Sequence, residues 1–315
     1  MILINRILTL LIALLFDRIF RDPANKFHPV GWMGTFILKA QSLAPQERSG
    51  LQFIYGGALI ISGFILFGGT AWILQKILGQ LSPPISWVAG ALILNFFFTV
   101  RGLKIAAVDV EQGLCNQDLN CARNSLHTHL VSRDTQSLNE SQIAAATIES
   151  VAENTSDSII APLFFFLIGG LTGVVLYRFV NTSDSLLGYH DAKREWLGKL
   201  PARLDDLLNL IPARITAFMM ILASIIKGFD QKEAIRTWLH ERYNTSSPNA
   251  GHPMSATAGA LNVQLEKSGH YVLGKGKTLP KVKDISRAIQ LLDSTIRVMI
   301  IALVLAGIIN ILGIL

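Results

Sequence analysis

The chain has 315 residues, of which 50% are hydrophobic and only 16% are charged, and its formal net charge is +6. Its mean hydropathy of +0.42 is higher than a soluble domain of this length needs to fill its core, so the composition excludes a soluble globular protein and indicates a membrane protein. Membrane proteins carry excess Lys and Arg in their cytoplasmic loops, so the positive charge does not indicate a nucleic acid partner.

Six apolar runs are long enough, or nearly so, to cross a bilayer. They occupy residues 2–16, 53–74, 84–100, 159–180, 207–226 and 296–315. The first run lacks the small-residue cleavage pattern of a signal peptide, so we interpret it as an anchor that stays. The third is short, and the fifth contains Pro212 and Arg214. The runs predict an all-α, polytopic integral membrane protein with four to six transmembrane or re-entrant helices and polar cytoplasmic loops, in one domain over residues 1–315.

The fourth run is flanked by two copies of the pentapeptide NTSDS, at residues 154–158 and 181–185. A single helix through the 22 residues between the copies would separate them by about 33 Å. Gly169 and Gly170 divide the run into halves that are each about 15 Å long as helix, half of the hydrocarbon depth. We therefore expect the run to break at these glycines and to return both copies to one side of the membrane. An ordinary spanning helix is the alternative.

The distribution of Lys and Arg supports this interpretation. With six crossings, the loops on one side of the membrane carry 19 of these residues and the loops on the other side carry 5. If the fourth and fifth runs both turn back, the distribution becomes 23 to 1. Positive charge concentrates on the cytoplasmic side, so the long polar loops are predicted to be cytoplasmic.

Three carboxylates, Glu149, Glu153 and Asp157, recur at every fourth residue directly before the fourth run. On a helix they form one acidic stripe, which the apolar run carries to the membrane boundary. Such a stripe needs cations or hydrogen-bond donors between its members, and Asn154 adds an oxygen of the hard type that Mg²⁺ prefers. A solvated helix face is the alternative.

A second polar cluster precedes and enters the fifth run, with Arg203, Asp205 and Asp206 before it and Arg214 two helical turns beyond Asp206. An arginine inside the membrane is costly unless it is paired, so Arg214 is a functional candidate. Snorkelling of its side chain to the interface is the alternative.

Two further segments are rich in polar side chains. Ser247 and Asn249 lie in a turn-rich stretch, where they either hold a polar ligand or close the turns. Directly after the first run come Asp17, Arg18, Asp22 and His28. The segment GKGKT at residues 274–278 is similar to the end of a phosphate-binding loop, but Tyr271 stands where that pattern requires glycine, so a nucleotide must be held in another way.

Four motifs in this order resemble those of a known family: DRIFRDPANKFHPVGWMG, ESVAENTSDSIIAPLFFF, PARLDDLLNLIPARITA and SPNAGHPMSATAGAL. They resemble the adenosylcobinamide-phosphate synthases of cobalamin biosynthesis, called CbiB or CobD, over roughly residues 10–265. The resemblance implies an ATP-dependent amide ligation. Adenosylcobyric acid and (R)-1-aminopropan-2-ol phosphate would be joined to give adenosylcobinamide phosphate, by a multi-pass protein of the inner (plasma) membrane.

The resemblance also implies roles for the polar residues, with ATP and Mg²⁺ as cofactors. The implied catalytic carboxylates are Glu149, Glu153, Asp157, Asp205 and Asp206, of which Glu153, Asp157 and Asp206 would bind Mg²⁺. The implied substrate-binding residues are Asp17, Arg18, Asp22, His28, Asn154, Asp184, Arg203, Arg214, Ser247 and Asn249. Arg203 and Arg214 would hold phosphate, and a carboxylate or His28 would be the general base. The expected partners are the corrinoid, the aminopropanol phosphate and the lipid bilayer. A related non-catalytic membrane sensor or scaffold, or a transporter, is the alternative.

Overall fold

The computed structural model describes residues 2–20, 28–45, 49–188 and 195–313, and it is helical almost throughout. The helices α1 to α13 are, in chain order, Ile2–Ile19, Pro29–Ser42, Ser49–Gly63, Gly69–Leu78, Pro83–Leu94, Arg101–Cys115, Leu119–His129, Glu140–Asn154, Ala161–Leu187, Glu195–Lys227, Gln231–Glu241, Gly251–Leu261 and Val282–Ile311. Strands β1 (Leu265–Lys267) and β2 (Tyr271–Leu273) pair antiparallel, and π-helical turns occupy Phe64–Gly68 and Thr155–Ile160. The predicted all-α class is confirmed.

Four helical stretches of the described chain are long and apolar enough to cross a membrane. They are Ser49–Leu78, Glu140–Leu187, Glu195–Lys227 and Val282–Ile311, and they contain the second, fourth, fifth and sixth apolar runs. The first run forms the 18-residue α1, which carries three charged side chains, and the third forms the 12-residue α5. These helices make the chain a multi-pass membrane protein, as predicted.

The helices assemble into two compact units. The first unit comprises Met1–Thr99, Ala161–Asn209 and Gly307–Leu315, and the second comprises Val100–Ile160 and Leu210–Ala306. Each unit combines segments that are distant in sequence, so its core forms only after long stretches of chain have been made. A single integral-membrane domain stays a prediction.

Helix α9, in the first unit, reverses its direction at Gly170, where φ is +66° and ψ is −149°. The rings of Phe165 and Tyr177 stack with their centroids 4.9 Å apart, although 12 residues of straight helix would separate them by about 18 Å. A Cβ atom at Gly173 would overlap the carbonyl oxygen of Phe165, so the two halves of the hairpin are in close backbone contact. The predicted break is confirmed, and residue 181 returns to the end of the hairpin at which residue 161 enters.

Side chains from two other helices satisfy the backbone at the turn. Arg6 of α1 donates from Nη1 to the carbonyl oxygens of Leu167, at 2.8 Å, and Ile168, at 2.6 Å. On the other side of the break, Gln75 of α4 accepts a hydrogen bond from the Thr172 amide at 3.2 Å. A helix that ends inside lipid leaves backbone groups without partners, and these contacts supply them.

The fifth apolar run lies in α10, which continues through Pro212 as one helix of 33 residues. The fifth run therefore does not turn back in the structure, in contrast to the assumption behind the charge distribution of 23 to 1. Because the distribution of 23 to 1 required both runs to turn back, the hairpin in α9 rests on its own backbone geometry and not on the charge count.

We expect Gly170→Ala to destabilise the protein by about 1–3 kcal/mol, because alanine disfavours a positive φ and its Cβ would overlap Gln75 Oε1. The matched control is Gly169→Ala, since a Cβ there meets no atom within 4 Å. Thermal unfolding in detergent, followed by tryptophan fluorescence, measures both variants. Equal midpoints for the two variants would contradict the reversal at Gly170.

Candidate functional site

Helix α8 presents a carboxylate in a buried setting. The helix begins with a capping box, in which Asn139 Oδ1 accepts from the Gln142 amide and Gln142 Oε1 accepts from the Asn139 amide, both at 3.0 Å. From residue 143 to residue 152 every side chain is buried, and Glu149 is only 5% exposed. Burying a carboxylate is costly unless it is paired, so the surroundings of Glu149 mark the first candidate site.

Glu149 lines a cavity of about 170 Å³ in the second unit, which we call the mixed-charge cavity. Its other charged or phenolic lining residues are Arg133, Glu153, Lys267 and Tyr271. Lys267 of β1 is paired directly with Tyr271 of β2, so both side chains project from one face of the strand pair. The cavity is smaller than the roughly 300 Å³ at which pockets for drug-sized ligands begin, so it fits only a small ligand.

The two oxygens of Glu149 have different surroundings. Oε2 lies 3.8 Å from Arg133 Nη2, and Tyr271 lines the same cavity, where its hydroxyl donates a weak hydrogen bond to Met254 Sδ at 3.9 Å. Burial and the negative charge of Glu149 raise the pKa of Tyr271, so its hydroxyl stays protonated and can donate. Oε1 is buried and has no hydrogen-bond partner in the part of the chain that the structure describes. The carboxylate therefore keeps one acceptor for a ligand.

The loop that carries Arg133 is fixed by local hydrogen bonds. Ser150 Oγ of α8 donates to the Leu130 carbonyl at 3.1 Å, and Thr135 Oγ1 donates to the Arg123 carbonyl at 3.0 Å. These contacts attach the loop to α8 and α7, so Arg133 is held beside the cavity.

The predicted acidic stripe is only partly regular. Glu149 and Glu153 line the same cavity from α8, whereas Asp157 lies in the π-helical turn Thr155–Ile160. A π-helical turn winds more widely than an α-helix and often occurs at functional sites. Asn154 is engaged locally, since its Nδ2 donates to the Ser150 carbonyl at 3.0 Å and its Oδ1 accepts from Ser158 Oγ at 2.9 Å. Across the described ranges, no group of three or more His, Cys, Asp or Glu side chains could hold a metal ion.

A second candidate site in the second unit, the arginine cluster, consists of Arg214, Arg242, Tyr243 and His252. The guanidinium of Arg242 lies over the Tyr243 ring, 4.9 Å from its centroid, and interaction with Arg242 and then with Arg214 lowers the pKa of the Tyr243 hydroxyl. Arg214 Nη1 donates to the Leu210 carbonyl at 2.7 Å. Within the described residues neither arginine forms an ion pair with a carboxylate, so the cluster carries uncompensated positive charge and suits an anion.

His252 lies in the first turn of α12 and is 1% exposed. Its Nδ1 accepts a hydrogen bond from Trp238 Nε1 at 3.0 Å, so a neutral imidazole carries its proton on Nε2. Burial, and then the charges of Arg214 and Arg242, lower the pKa of His252 to about 4. The ring is therefore neutral at pH 7, and its buried Nε2, which has no partner among the described residues, is a donor in the arginine cluster.

Ser247 and Asn249 form the turn that leads into α12. Ser247 Oγ accepts from the amides of Asn249, at 3.2 Å, and Ala250, at 3.3 Å, and the side chain of Asn249 is buried. A Cβ atom at Gly251 would overlap the Arg242 carbonyl oxygen, so glycine is needed where this turn passes the end of α11. The turn thereby places Arg242 beside His252.

In the first unit, Asp205 belongs to a hydrogen-bonded network between α9 and α10. Its Oδ1 accepts from Asn181 Nδ2 at 3.2 Å, and its Oδ2 accepts from Asn209 Nδ2 at 2.9 Å. Tyr177 donates its hydroxyl to Asn209 Oδ1 at 3.0 Å, and Arg178 Nη1 donates to Asn181 Oδ1 at 3.1 Å. The second NTSDS copy thus supplies Asn181, which helps to join the hairpin to α10.

The other predicted residues of the first unit are spread over several helices. Asp17 is buried and Arg18 is exposed near the end of α1, and His28 Nδ1 accepts from the Val30 amide at 3.3 Å as the N-cap of α2. Asp184 and Asp206 are half-buried on α9 and α10, and Arg203 is exposed. Asp22 lies outside the described residues.

The second unit brings together Glu149 with Glu153, and Arg214 with the segment of Ser247 and Asn249. Five further residues line these sites although no sequence pattern predicts a role for them: Arg133, Lys267, Tyr271, Arg242 and Tyr243. Tyr271 had drawn attention only because it breaks the phosphate-loop pattern. The usable signal is the position of Arg242 and Tyr243, which lie five and four residues before Ser247, the first residue of the fourth motif.

Comparisons with known proteins agree with the sequence resemblance. A family model described as "CobD/Cbib protein" matches residues 10–300. The chain is 42% identical over 268 residues to "Cobalamin biosynthesis protein CobD" of Dehalococcoides mccartyi (strain CBDB1), covering 85% of this chain and 86% of that protein. It is 38% identical over 273 residues to "Probable cobalamin biosynthesis protein CobD" of Methanothermobacter thermautotrophicus, covering 86% and 87%. It is 36% identical over 285 residues to "Cobalamin biosynthesis protein CobD" of Clostridium perfringens, covering 90% of this chain and 90% of that protein. No solved structure matches the chain significantly.

Proposed function

The chain belongs to the CobD/CbiB family and has a role in cobalamin biosynthesis, and from this we propose that it is an adenosylcobinamide-phosphate synthase. In this proposal it joins the propionate carboxylate of adenosylcobyric acid to the amine of (R)-1-aminopropan-2-ol phosphate, with consumption of ATP. The substrates and ATP are cytoplasmic molecules, so the enzyme would lie in the inner membrane with its polar loops on that side.

The observation that carries the proposal is the arginine cluster. A ligation that consumes ATP must bind and neutralise phosphates, and two arginines without a carboxylate partner in the described chain provide that charge. His252 adds an N–H donor from Nε2, because Trp238 occupies its Nδ1. Hydrogen bonds from Arg214 to the Leu210 carbonyl and from Arg242 to the Leu239 carbonyl orient both guanidinium groups before a ligand arrives, which reduces the entropy lost on binding.

The carboxylates of the second unit fit a bound Mg²⁺. Mg²⁺ is commonly held by one or two protein carboxylates together with substrate phosphates and water, so a cluster of three protein ligands is not required. Glu153 and Asp157 are half-buried carboxylates one turn apart, and we assign Mg²⁺ to them when ATP is bound. Asp206 of the first unit stays a predicted ligand. Mg-ATP, when bound, supplies the phosphoryl group that turns the carboxylate oxygen into a leaving group.

The general base is better assigned to a carboxylate than to His28. The Nδ1 atom of His28 accepts the Val30 amide as a helix cap, so its free electron pair is already used there. The buried carboxylate of Glu149 keeps Oε1 without a protein partner in the described chain.

The test uses the purified full-length chain in detergent or nanodiscs with Mg-ATP, adenosylcobyric acid and aminopropanol phosphate. We expect adenosylcobinamide phosphate to form, with nucleotide consumed only when both organic substrates are present. Corrinoid binding without turnover would favour a sensor or scaffold. Movement of corrinoid across proteoliposomes without product would favour a transporter.

A further inference from the structure

The mixed-charge cavity combines both signs of charge in a small volume. Arg133 and Lys267 contribute two cations, and Glu149 and Glu153 contribute two carboxylates, around about 170 Å³. A site that binds only an anion is lined by cations without carboxylates, as in the arginine cluster. A site that binds only a hard metal ion is lined by oxygen ligands. A cavity with cations and carboxylates therefore suits a small zwitterion.

We propose that this cavity binds the amine substrate, a small aminoalkyl phosphate, with its ammonium group at Glu149 and its phosphate group at Arg133 and Lys267. The inference rests on the proposed function and assigns one of its substrates to a place in the second unit. It leaves the arginine cluster for the phosphates of the nucleotide.

The ammonium end is defined by Glu149. Its side chain is 7% exposed, and Oε1 is buried without a hydrogen-bond partner in the described residues. The other oxygen, Oε2, lies 3.8 Å from Arg133 Nη2, so the carboxylate has an ionic partner on one side before the ligand binds. A buried acceptor with an unused lone pair is satisfied by an ammonium donor.

The phosphate end is defined by the two cations. Arg133 Nη2 is 3.8 Å from Glu149 Oε2, which is too long for a hydrogen bond, and within the described chain its guanidinium donates no other hydrogen bond. Lys267 also has no side-chain hydrogen bond among the described residues. Both groups therefore keep their donors for phosphate oxygens, and Arg133 can donate two in parallel.

The arrangement also assigns a step to Glu149. The carboxylate takes one proton from the ammonium, and the freed nitrogen electron pair forms the C–N bond with the activated carboxyl carbon of the corrinoid. The bond from that carbon to the phosphate oxygen then breaks, its electron pair leaves with phosphate, and the phosphate takes the second proton from the nitrogen, which gives the neutral amide. Glu149 is then a catalytic residue.

Steady-state kinetics with aminopropanol phosphate, at saturating ATP and corrinoid, test the assignment. We expect Arg133→Gln and Lys267→Gln each to raise KM for aminopropanol phosphate about tenfold or more, while KM for ATP stays within about twofold. With unphosphorylated aminopropanol as substrate, these variants should match the wild type. Glu149→Gln should lower kcat about a hundredfold or more with either amine, since a general base is lost.

Two controls separate binding from folding. Arg236→Gln removes an arginine that is 74% exposed and pairs only with Glu233 on the same helix, and it should leave every constant unchanged. Membrane abundance and elution profile establish that each variant is folded.

Calorimetric titration of aminopropanol phosphate into the purified protein tests the cavity assignment separately from the proposed function. Binding by the wild type that is lost in Arg133→Gln supports the cavity assignment even if no ligation occurs, in which case only the proposed function fails. Ligation by the wild type, with an unchanged KM for the amine phosphate in both Arg133→Gln and Lys267→Gln, overturns the cavity assignment and leaves the proposed function intact.

Discussion

Replacing Asp157 with alanine is expected to lower product formation by about a hundredfold or more, because a carboxylate that binds Mg²⁺ at a phosphoryl-transfer site stabilises charge in the transition state. Asp157 is half-buried within the π-helical turn, and its removal opens no large cavity in the core. The protein should therefore still reach the membrane in normal amounts. We expect the same loss of activity for Glu153→Ala and Asp206→Ala.

Product formation and membrane abundance are measured together for these variants over a range of Mg²⁺ concentrations. Glu140→Ala is the matched control, because it removes an exposed carboxylate from the first turn of α8 and should cost only a few tenths of a kcal/mol in stability. A variant that loses a metal ligand should need more Mg²⁺ for half-maximal rate. Full activity in all three variants would falsify the metal role.

Arg214→Lys is expected to raise KM for ATP about tenfold or more, although the charge is kept. The guanidinium of Arg214 donates to the Leu210 carbonyl at 2.7 Å, and it has further donors for phosphate. A lysine has one charged nitrogen and cannot keep the protein contacts while donating in parallel to an anion.

The kinetics of Arg214→Lys are compared with those of Arg236→Lys, which changes an exposed arginine of α11. Because the amine phosphate is assigned to the mixed-charge cavity, its KM should change little in either variant. If Arg214→Lys leaves both constants unchanged, the arginine only snorkels. If Arg214→Lys changes only KM for the amine phosphate, the assignment is reversed: the amine phosphate binds at the arginine cluster and ATP binds at the mixed-charge cavity.

The hairpin in α9 shows which features can be predicted from local sequence and which cannot. Gly169 and Gly170 predict a break, because glycine alone tolerates the positive φ that a reversal needs. The contacts that make the break tolerable could not be predicted, since Arg6 lies 161 residues before Leu167, and Gln75 lies 97 residues before Thr172. The charge count wrongly treated the fifth run as a segment that turns back, because composition does not distinguish a continuous helix from a broken one.

The mixed-charge cavity shows a similar division. Glu149 and Glu153 follow from helical spacing, which is a local property. Lys267 and Tyr271 reach the cavity only because β1 and β2 pair beside α8, and that pairing depends on packing between distant segments. For Asp205, the motif predicts a catalytic role. In the structure, both of its carboxylate oxygens accept hydrogen bonds from the side-chain amides of Asn181 and Asn209.

The contact between Arg6 and the hairpin has a consequence for how the chain is inserted during translation. Residues 159–180 are apolar enough for the insertion machinery to treat them as an ordinary crossing. Helix α1 precedes them in the chain, so its arginine is already in place when the carbonyl groups of Leu167 and Ile168 leave the ribosome. The guanidinium is thus available to these carbonyl groups as soon as they enter the bilayer, so the order of synthesis favours the hairpin over a straight crossing.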